Sequence, residues 1–263
     1  MAAPALRIAL LTNGNRHGDE IHRALLARSV GVEAIVCEVV PLGSAVRRAA
    51  RRGLSARERL VVLARWARRT ERVLRARRAY RRRGARVITT GALNGVRMRR
   101  DLAALAPDLL VLGGIGIIRS ELIATPREGV LNAHPALLPW VRGTSVVAHS
   151  LRLDVAVGAT VHYVDAEIDH GPIVARRLAN VDGASDLAEL ERRAYATAVE
   201  LLADVVAEAV RTGMTPRGVE QRSDAPVCRR LAGSERREVE DLVRRGRAAE
   251  LAAEWGTRDL ALA

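Results

Sequence analysis

The amino-acid sequence predicts an α/β protein: a doubly wound, mostly parallel sheet followed by a small helical appendage at the C-terminus. Two observations carry this prediction. Short apolar, β-branched runs alternate with segments of helical periodicity, and most of these runs are apolar on both faces. Strands that helices cover on both sides have this character. At 263 residues the chain is long enough to bury a sizeable core.

The elements are predicted in the order in which the chain presents them. Residues 6–12 form a first strand, a polar loop follows, and residues 19–29 form a helix. Further apolar strands are predicted at 32–40, 85–90, 108–112 and 129–131. Residues 155–164 and 173–178 are predicted as two strands joined by a polar turn. Long helices are predicted at 185–212 and 234–255, and the stretch 216–230 between them adds at most a short strand.

The positive charge is concentrated in one segment. All 43 basic residues are Arg, and 17 of them lie between Ser44 and Arg86 against two acids, so this segment alone exceeds the net charge of +13. Ser55 and Glu58 have the spacing of a capping box, which predicts a helix over 55–83 with an apolar stripe supplied by Leu60, Leu63, Trp66, Ala67 and Leu74. Its arginines are either a solvated face or a docking surface for an anionic substrate, an acidic partner such as a carrier protein, or a membrane.

Composition also bounds the class of protein. Aromatic residues make up only 2% of the chain, so base stacking on nucleic acid is not expected. Cys37 and Cys228 stand in unrelated contexts, which gives no support to a disulfide framework or a zinc site. No apolar run approaches the length of a membrane span, and the N-terminus does not have the pattern of a signal peptide. We therefore expect a soluble, cytoplasmic protein without a membrane partner.

A first candidate site is the stretch N-A-H-P-A-L-L-P-W-V-R-G, from Asn132 to Gly143. Asn132 and His134 follow a buried strand, and side chains two apart on an extended chain point to the same side. Ligands of parallel sheets gather outside the carboxyl ends of the strands, so location and chemistry agree. Pro135 restricts the backbone beyond the pair. The alternative is that both polar side chains only satisfy a turn.

A second polar cluster lies in the turn after residue 164. It carries Asp165, Glu167, Asp169 and His170, and His162 precedes it. An acid brought beside His134 would stabilise the protonated imidazole, which suits proton transfer near neutral pH. The alternative is a metal site made from His134, His162, Asp165 and Asp169, although their spacing matches no recognised ligand pattern. A third stretch, the loop N-G-N-R-H-G after the first strand, is either an anion-binding turn or a turn that needs two glycines.

Three spaced motifs resemble the folate-dependent formyltransferase family: V-L-N-A-H-P-A-L-L-P-W-V-R-G, then G-A-T-V-H-Y-V-D, then E-I-D-H-G-P-I-V. The likeness covers roughly residues 85–213. This family includes glycinamide ribonucleotide, methionyl-tRNA and amino-sugar N-formyltransferases. The resemblance implies a Rossmann-like catalytic domain over residues 1–213 and a mainly helical appendage over 214–263. It also implies 10-formyltetrahydrofolate as the formyl donor and no metal.

The resemblance assigns roles to individual residues. The family's catalytic asparagine, histidine and aspartate fall on Asn132, His134 and Asp169. The first two are expected to stabilise an oxyanion, while Asp169 keeps His134 charged and relays a proton. The cofactor is expected against two segments, which are Gly114, Ile115, Gly116, Ile117, Ile118 and Arg119, and then Asp165, Ala166, Glu167 and Ile168. The acceptor is expected near Asn13, Trp140, Arg142 and Gly143.

Differences between this sequence and the family's motifs reduce the number of possible acceptor classes. The ribonucleotide enzymes carry a Gly-Ser-Asn loop where this chain has N-R-H-G, and the 50 residues after position 213 are too few and too helical for the barrel domain of the tRNA enzymes. We therefore predict transfer to an amine of a small metabolite, most specifically a nucleotide-linked amino sugar. The alternatives are hydrolysis of 10-formyltetrahydrofolate and a non-catalytic folate-binding protein that docks a carrier. The C-terminal segment is also long enough to pair two copies in a homodimer.

Overall fold

The computed structural model describes residues 6–51, 55–221, 225–257 and 260. The chain divides into two compact units, Met1–Leu26 with Val30–Val130, and Ala27–Ser29 with Leu131–Ala263. No helix in the described ranges is both long and apolar enough to cross a membrane.

The first unit is built on four parallel strands. They are β1 (Ile8–Thr12), β2 (Ala34–Glu38), β3 (Val87–Thr90) and β4 (Leu109–Gly113), in the spatial order β3-β2-β1-β4. Every residue of β1, β2 and β4 is buried. The chain moves outward from β1 to β3 and then returns to the other side of β1. This reversal defines a doubly wound sheet, and it places a topological switch point between the carboxyl ends of β1 and β4.

Helices connect the strands of the first unit. They are α1 (Arg16–Ala27), α2 (Leu42–Arg51), α3 (Ala56–Arg82), α4 (Val96–Leu105) and α5 (Ser120–Ile123). α1 begins three residues earlier than predicted. Gly14, with φ +71°, makes the turn into it, a backbone conformation that glycine adopts without steric cost.

The arginine-rich helix α3 forms with the predicted capping box but buries a different stripe. The Ser55 amide donates to the Glu58 carboxylate (2.9 Å), and the Glu58 amide donates to the Ser55 hydroxyl (3.3 Å). The predicted stripe is wrong in part, because Leu60 is 67% and Leu74 is 41% exposed. The residues that α3 buries fully are Val73 and Tyr80. The turn at Gly14 packs closely against α3 at Val73 and Ala76, so the helix is buried on that face.

The second unit carries antiparallel strands. β5 (Gly129–His134) pairs with β7 (Gly158–Tyr163), and β7 pairs with β8 (Ile173–Leu178). Only residues from Leu131 onward in β5 belong to this unit. A second, two-stranded sheet joins β6 (Arg142–Gly143) to β9 (Val227–Cys228), so the short strand allowed in the stretch 216–230 is present.

The helices of the second unit share one core. They are α6 (Val146–Arg152), α7 (Leu187–Thr212), α8 (Gly233–Arg244) and α9 (Arg247–Gly256). The single helix predicted over 234–255 is wrong, because the chain breaks at Gly246, which has φ +82°. Val239, Leu251 and Trp255 are buried in the same cluster as Val141 and Leu187. The C-terminal helices therefore complete the core of this unit.

The α/β class and the mostly parallel strand pairing are confirmed, as is the helical C-terminal part. The compact units divide after Val130, whereas the domain boundary was predicted after residue 213. That predicted boundary concerns function, and it stays a prediction.

Candidate active site

Asn132 and His134 lie inside β5. The strand continues past the predicted end at residue 131, because Asn132 pairs with His162 and His134 pairs with Thr160 across the antiparallel ladder. Side chains two apart on a strand project from the same face. His134 is only 4% exposed, while Asn132 is half-buried. The strand therefore presents an amide and an imidazole together, as predicted from their spacing.

His162, on the neighbouring strand β7, holds the amide of Asn132. Its Nδ1 lies 2.7 Å from the carbonyl oxygen of Tyr163, which can only accept, so Nδ1 carries the proton. The remaining nitrogen, Nε2, then accepts from the Asn132 Nδ2 group at 3.2 Å. One N–H of the Asn132 amide is engaged in this way, and the second can donate elsewhere.

The electrostatics of the site keep His162 neutral. Burial, together with the neighbouring imidazole of His134, lowers the pKa of His162 to about 4 against the opposing effect of Asp169. At neutral pH the ring is therefore an acceptor toward Asn132. His162 was considered from the sequence only as a metal ligand, because its position opposite Asn132 depends on a strand pairing that the sequence does not predict.

Asp169 reaches both histidines. Its Oδ2 lies 3.4 Å from Nδ1 of His134, and its Oδ1 lies 3.7 Å from Nε2 of His162. The backbone N–H of Gly143 donates to Oδ2 at 3.0 Å. Asp169 has φ +49°, a conformation that aspartate tolerates better than most residues, and its side chain is 16% exposed. Asp169 therefore lies beside His134, and all three residues predicted to be catalytic belong to one unit.

The second ring nitrogen of His134 is also engaged. Nε2 lies 2.9 Å from the carbonyl oxygen of Val141 and must donate to it, because a carbonyl has no proton. Nδ1 therefore remains as the nitrogen that faces Asp169. This orientation comes from the chain segment that follows Pro135 and returns Val141 against the ring.

Arg142, which was predicted to contact the acceptor, binds oxygens of the protein itself. Its side chain is 7% exposed, and Nε and Nη2 donate to the carbonyl oxygen of Ile168 at 3.0 and 2.8 Å. Nη1 donates to the carbonyl oxygen of Ala225 at 3.3 Å. The guanidinium thus joins the turn that carries Asp169 to the C-terminal segment. It is a positioning group, since its donors are used on protein oxygens.

The C-terminal segment holds the same turn from another side. Gln221 Nε2 donates to the carbonyl oxygens of Gly171 (2.7 Å) and Asp169 (3.3 Å). A Cβ at Gly171 would come within 2.2 Å of the Tyr163 carbonyl oxygen, so this position requires glycine. Neither contact was predicted, because Gln221 lies 50 residues or more beyond the groups that it binds.

The predicted cofactor segment Asp165–Ile168 is an ordered turn in the second unit. The Asp165 carboxylate accepts from the Glu167 amide at 2.9 Å and lies 3.0 Å from Nδ1 of His170. Ala166, Glu167 and Ile168 are exposed. The turn is rigid at its ends and open in its middle, so it can offer backbone groups to a ligand.

The other predicted cofactor segment, Gly114–Arg119, belongs to the first unit and follows β4 at the switch point. Asn94 holds it: Nδ2 donates to the Ile117 carbonyl oxygen (2.9 Å), and Oδ1 accepts from the Arg119 amide (2.8 Å). Asn15 donates to the Gly114 carbonyl oxygen at 2.7 Å. Ile117 is 74% exposed, so the middle of the loop is accessible. Neither asparagine was predicted in this role.

The remaining predicted acceptor residues are distributed over both units. Trp140, 39% exposed, lies edge-on to Trp255 with ring centroids 4.9 Å apart, and the guanidinium carbon of Arg176 lies 5.0 Å from the Trp140 ring centroid. Gly143 lines a cavity of about 310 Å³ and also positions Asp169. In the first unit, Asn13 is half-buried, and its Oδ1 has no hydrogen-bond partner among the described residues.

The histidines and acids are not arranged as a metal centre. Within the part of the chain that the structure describes, no group of three or more His, Cys, Asp or Glu residues could hold a metal ion. The alternative metal site on His134, His162, Asp165 and Asp169 therefore finds no support in the geometry.

Comparison with known proteins agrees with the motifs. The family model described as formyl transferase matches residues 7–206. A methionyl-tRNA formyltransferase of Roseiflexus sp. (strain RS-1) is 33% identical over 135 residues, which cover 51% of this chain and 42% of the relative. A phosphoribosylglycinamide formyltransferase of Mycobacterium tuberculosis is 41% identical over 115 residues, covering 43% and 54%. The chain thus spans about half, or less, of the length of these curated relatives.

Solved structures show the same fold. A 4-N formyltransferase from Francisella tularensis superposes with a TM-score of 0.57 at 15% identity, over 91% of this chain and 88% of that chain. Glycinamide ribonucleotide transformylase 1 from Symbiobacterium toebii gives a TM-score of 0.53 at 20% identity, over 82% and 95%. The family model covers well over half of the sequence and includes Asn132, His134 and Asp169. This chain belongs to the formyl transferase family.

Proposed function

We propose that the protein transfers a formyl group from 10-formyltetrahydrofolate to a primary amine of a small metabolite. The observation that carries this proposal is the position of the Asp169 carboxylate beside both His134 and His162, with the Asn132 amide held on the same strand face as His134. Family membership supports formyl transfer, and this cluster supplies groups that such a transfer requires.

In the proposed mechanism Asn132 and His134 act on the reacting oxygen, and Asp169 acts on the imidazolium and on the proton of the amine. The amine nitrogen attacks the formyl carbon, and the carbonyl electron pair moves onto the oxygen. The free N–H of Asn132 and Nδ1–H of a protonated His134 donate to that oxyanion. Removal of one such donor typically costs about a hundredfold to a thousandfold in rate. Asp169 stabilises the imidazolium and takes up the proton that the amine loses, directly or through water.

Collapse of the tetrahedral intermediate completes the transfer. The oxygen electron pair re-forms the carbonyl, and the bond to the folate nitrogen breaks. That nitrogen receives the proton that Asp169 took up from the amine, directly or through water. The neutral state of His162 matters here because a protonated Nε2 would no longer accept from Asn132. His162 is therefore proposed to fix the amide so that its second N–H faces the reacting oxygen.

The donor is proposed to bind against the two predicted segments, Gly114–Arg119 and Asp165–Ile168. Both segments are held by side-chain hydrogen bonds to their backbone and remain partly exposed: Asn94 bonds to Ile117 and Arg119, and Arg142 bonds to Ile168. A flat heteroaromatic ring recognised through backbone groups needs such pre-formed segments, because ordering a mobile loop on binding would cost affinity.

The acceptor is proposed to be a nucleotide-linked amino sugar. Support comes from the extent of the likeness to the Francisella tularensis 4-N formyltransferase, and to a sugar N-formyltransferase from Shewanella sp. with a TM-score of 0.54 over 92% of this chain. A cytoplasmic location is proposed as well, supported by Cys37 and Cys228, which are both free thiols.

The test combines the donor with a panel of amines. The purified protein is incubated with 10-formyltetrahydrofolate and with nucleotide-linked amino sugars, glycinamide ribonucleotide and amino acids, and products are identified by mass spectrometry. We expect one acceptor class to gain a formyl group. Formate release at the same rate with and without every amine would instead establish hydrolysis, and no donor consumption at all would make the protein non-catalytic.

A further inference from the structure

The first unit contains a cavity of about 590 Å³ that the proposed chemistry does not use. Its walls are the loop after β1, from Gly14 to Arg16, and one face of α3. Pockets for small ligands fall in this size range, whereas nucleic acids and protein partners occupy extended surfaces. The cavity therefore has the volume of a small-molecule site.

The face of α3 that lines the cavity has a regular pattern. Arg68, Arg72, Arg75 and Arg82 follow helical spacing, and two small residues, Ala76 and Ala79, lie among them. The small side chains leave a recess, and the arginines stand around it. The loop lies directly against this face, because a Cβ at Gly14 would come within 2.8 Å of the Val73 Cα atom.

The charges around the recess are unbalanced. Six arginines and two carboxylates, those of Asp19 and Glu71, line it. Three of the arginines have acidic partners: Arg16 with Glu20, Arg75 with Glu71, and Arg83 with Asp19.

The other three lining arginines are Arg68, Arg72 and Arg82. Among the described residues none of them has an ion pair with a carboxylate, and the ends of Arg68 and Arg72 are exposed. Like charges gathered around one recess repel one another unless an anion fills it. Guanidinium groups bind phosphate oxygens in a bidentate way, so several of them around one cavity favour a ligand with more than one phosphate oxygen to offer.

We propose that this cavity binds the diphosphate group of a small molecule, with Arg68 and Arg72 as its principal ligands. That the diphosphate belongs to the amine acceptor rests on the proposed function. That the cavity binds a diphosphate is independent of the proposed function. The acceptor class would then be a primary amine attached to a nucleoside diphosphate or a similar diphosphate ester.

The test measures binding of inorganic pyrophosphate to the full chain by isothermal titration calorimetry, without folate. The variant Arg68→Gln/Arg72→Gln removes two lining arginines. Its matched control, Arg78→Gln/Arg81→Gln, removes two exposed arginines of α3 that do not line the cavity. We expect the first variant to lose at least about tenfold in pyrophosphate affinity, since hydrogen bonds to charged groups are the strong ones. The control is expected to change it by less than about twofold, because distant exposed charges are screened.

Three results would overturn the proposal. The first is no pyrophosphate binding to the unaltered protein, and the second is an equal loss of affinity in both variants, which would indicate a diffuse positive surface. The third is displacement of pyrophosphate by a single-stranded oligonucleotide that binds both variants equally well. If pyrophosphate binds as expected but no amine is formylated in any assay, the cavity assignment stands and the proposed function fails.

Discussion

The side-chain amide of Asn132 donates to Nε2 of His162 across the β5–β7 pair, at 3.2 Å. This contact determines the orientation of the amide. With Nδ1 of His162 committed to the Tyr163 carbonyl oxygen, Nε2 can only accept, and the Asn132 oxygen is turned away from it. The consequence is one N–H of Asn132 that is directed by the protein before any substrate binds, as a preorganised oxyanion donor must be.

Replacing His162 tests this orientation. His162→Ala removes the acceptor, and we expect kcat to fall by about tenfold to a hundredfold, since small misplacements of a catalytic group have effects of this size. His162→Gln places an oxygen near the position of Nε2 and is expected to restore part of the rate. His162→Asn places its polar group near Nδ1 and is the matched control that should not. Equal kcat values for the Gln and Asn variants, with both proteins folded by circular dichroism, would remove His162 from this role.

The depressed pKa of His162 predicts a pH dependence of stability. In the unfolded chain the imidazole titrates near its ordinary value of 6.5, while in the folded protein it titrates at about 4. Between these values the unfolded chain binds more protons, so acidification favours unfolding, and this contribution to stability is lost as the pH falls from about 6.5 to about 4.

Urea titrations across that pH range measure the effect. The free energy of unfolding of the unaltered protein should decline more steeply with falling pH than that of His162→Gln. The difference between the two slopes corresponds to at most one additional proton bound on unfolding. Because the other ionisable groups are the same in both proteins, the difference in slope isolates His162. Parallel curves would show that this histidine is protonated equally in the folded and unfolded states.

Arg142 is expected to matter for both stability and turnover. Arg142→Gln removes the charged donor from the Ile168 and Ala225 carbonyl oxygens, and hydrogen bonds to charged groups contribute about 1.5–3 kcal/mol each. The turn that carries Asp169 should also loosen, which lowers kcat. Arg142→Lys should not restore either quantity, because a single ammonium does not reproduce the three fixed guanidinium donors that bond to the two carbonyls. Chemical denaturation and steady-state kinetics check both, and full rescue by Lys would contradict the account.

Asn94 gives a test of donor binding that is separate from the chemistry. It has φ +62°, so Asn94→Gly removes the side-chain hydrogen bonds to the Ile117 and Arg119 backbone without adding strain. We expect KM for 10-formyltetrahydrofolate to rise by up to about tenfold, with kcat almost unchanged, since two ordinary hydrogen bonds are lost. Asn94→Asp keeps the acceptor for Arg119 and should give a smaller increase. A change confined to kcat would place Asn94 elsewhere in the cycle.

The fold class could be predicted because apolar periodicity reports on burial, and β1, β2 and β4 are buried throughout. The end of β5 was predicted too early for the same reason. Asn132 and His134 are polar, and only their pairing with β7, which lies more than 20 residues away in sequence, makes them part of the strand. Apolar periodicity therefore does not detect the part of β5 that carries the polar candidate residues.

The positioning groups could not be predicted from local sequence. Arg142 stands in a stretch that looks like an exposed turn, yet it binds carbonyls 26 and 83 residues away. His162 lies in a strand of alternating character, where a polar residue is normally read as facing solvent. The break between α8 and α9 depends on the positive φ of Gly246. This glycine does not interrupt the apolar periodicity of the sequence, so a single helix was predicted across it.

The central claim is that Asp169 and His134 act together in formyl transfer, and one measurement tests it most directly. The kcat for formyl transfer by Asp169→Asn is compared with that of the unaltered protein, with the acceptor found in the amine screen and with donor binding measured on the same sample. The substitution keeps the size of the side chain, and Oδ can still accept from the Gly143 amide. We predict a fall in kcat of about a hundredfold or more with donor affinity retained, because the imidazolium loses its counter-charge and the amine its proton acceptor. Turnover close to that of the unaltered protein would contradict the account.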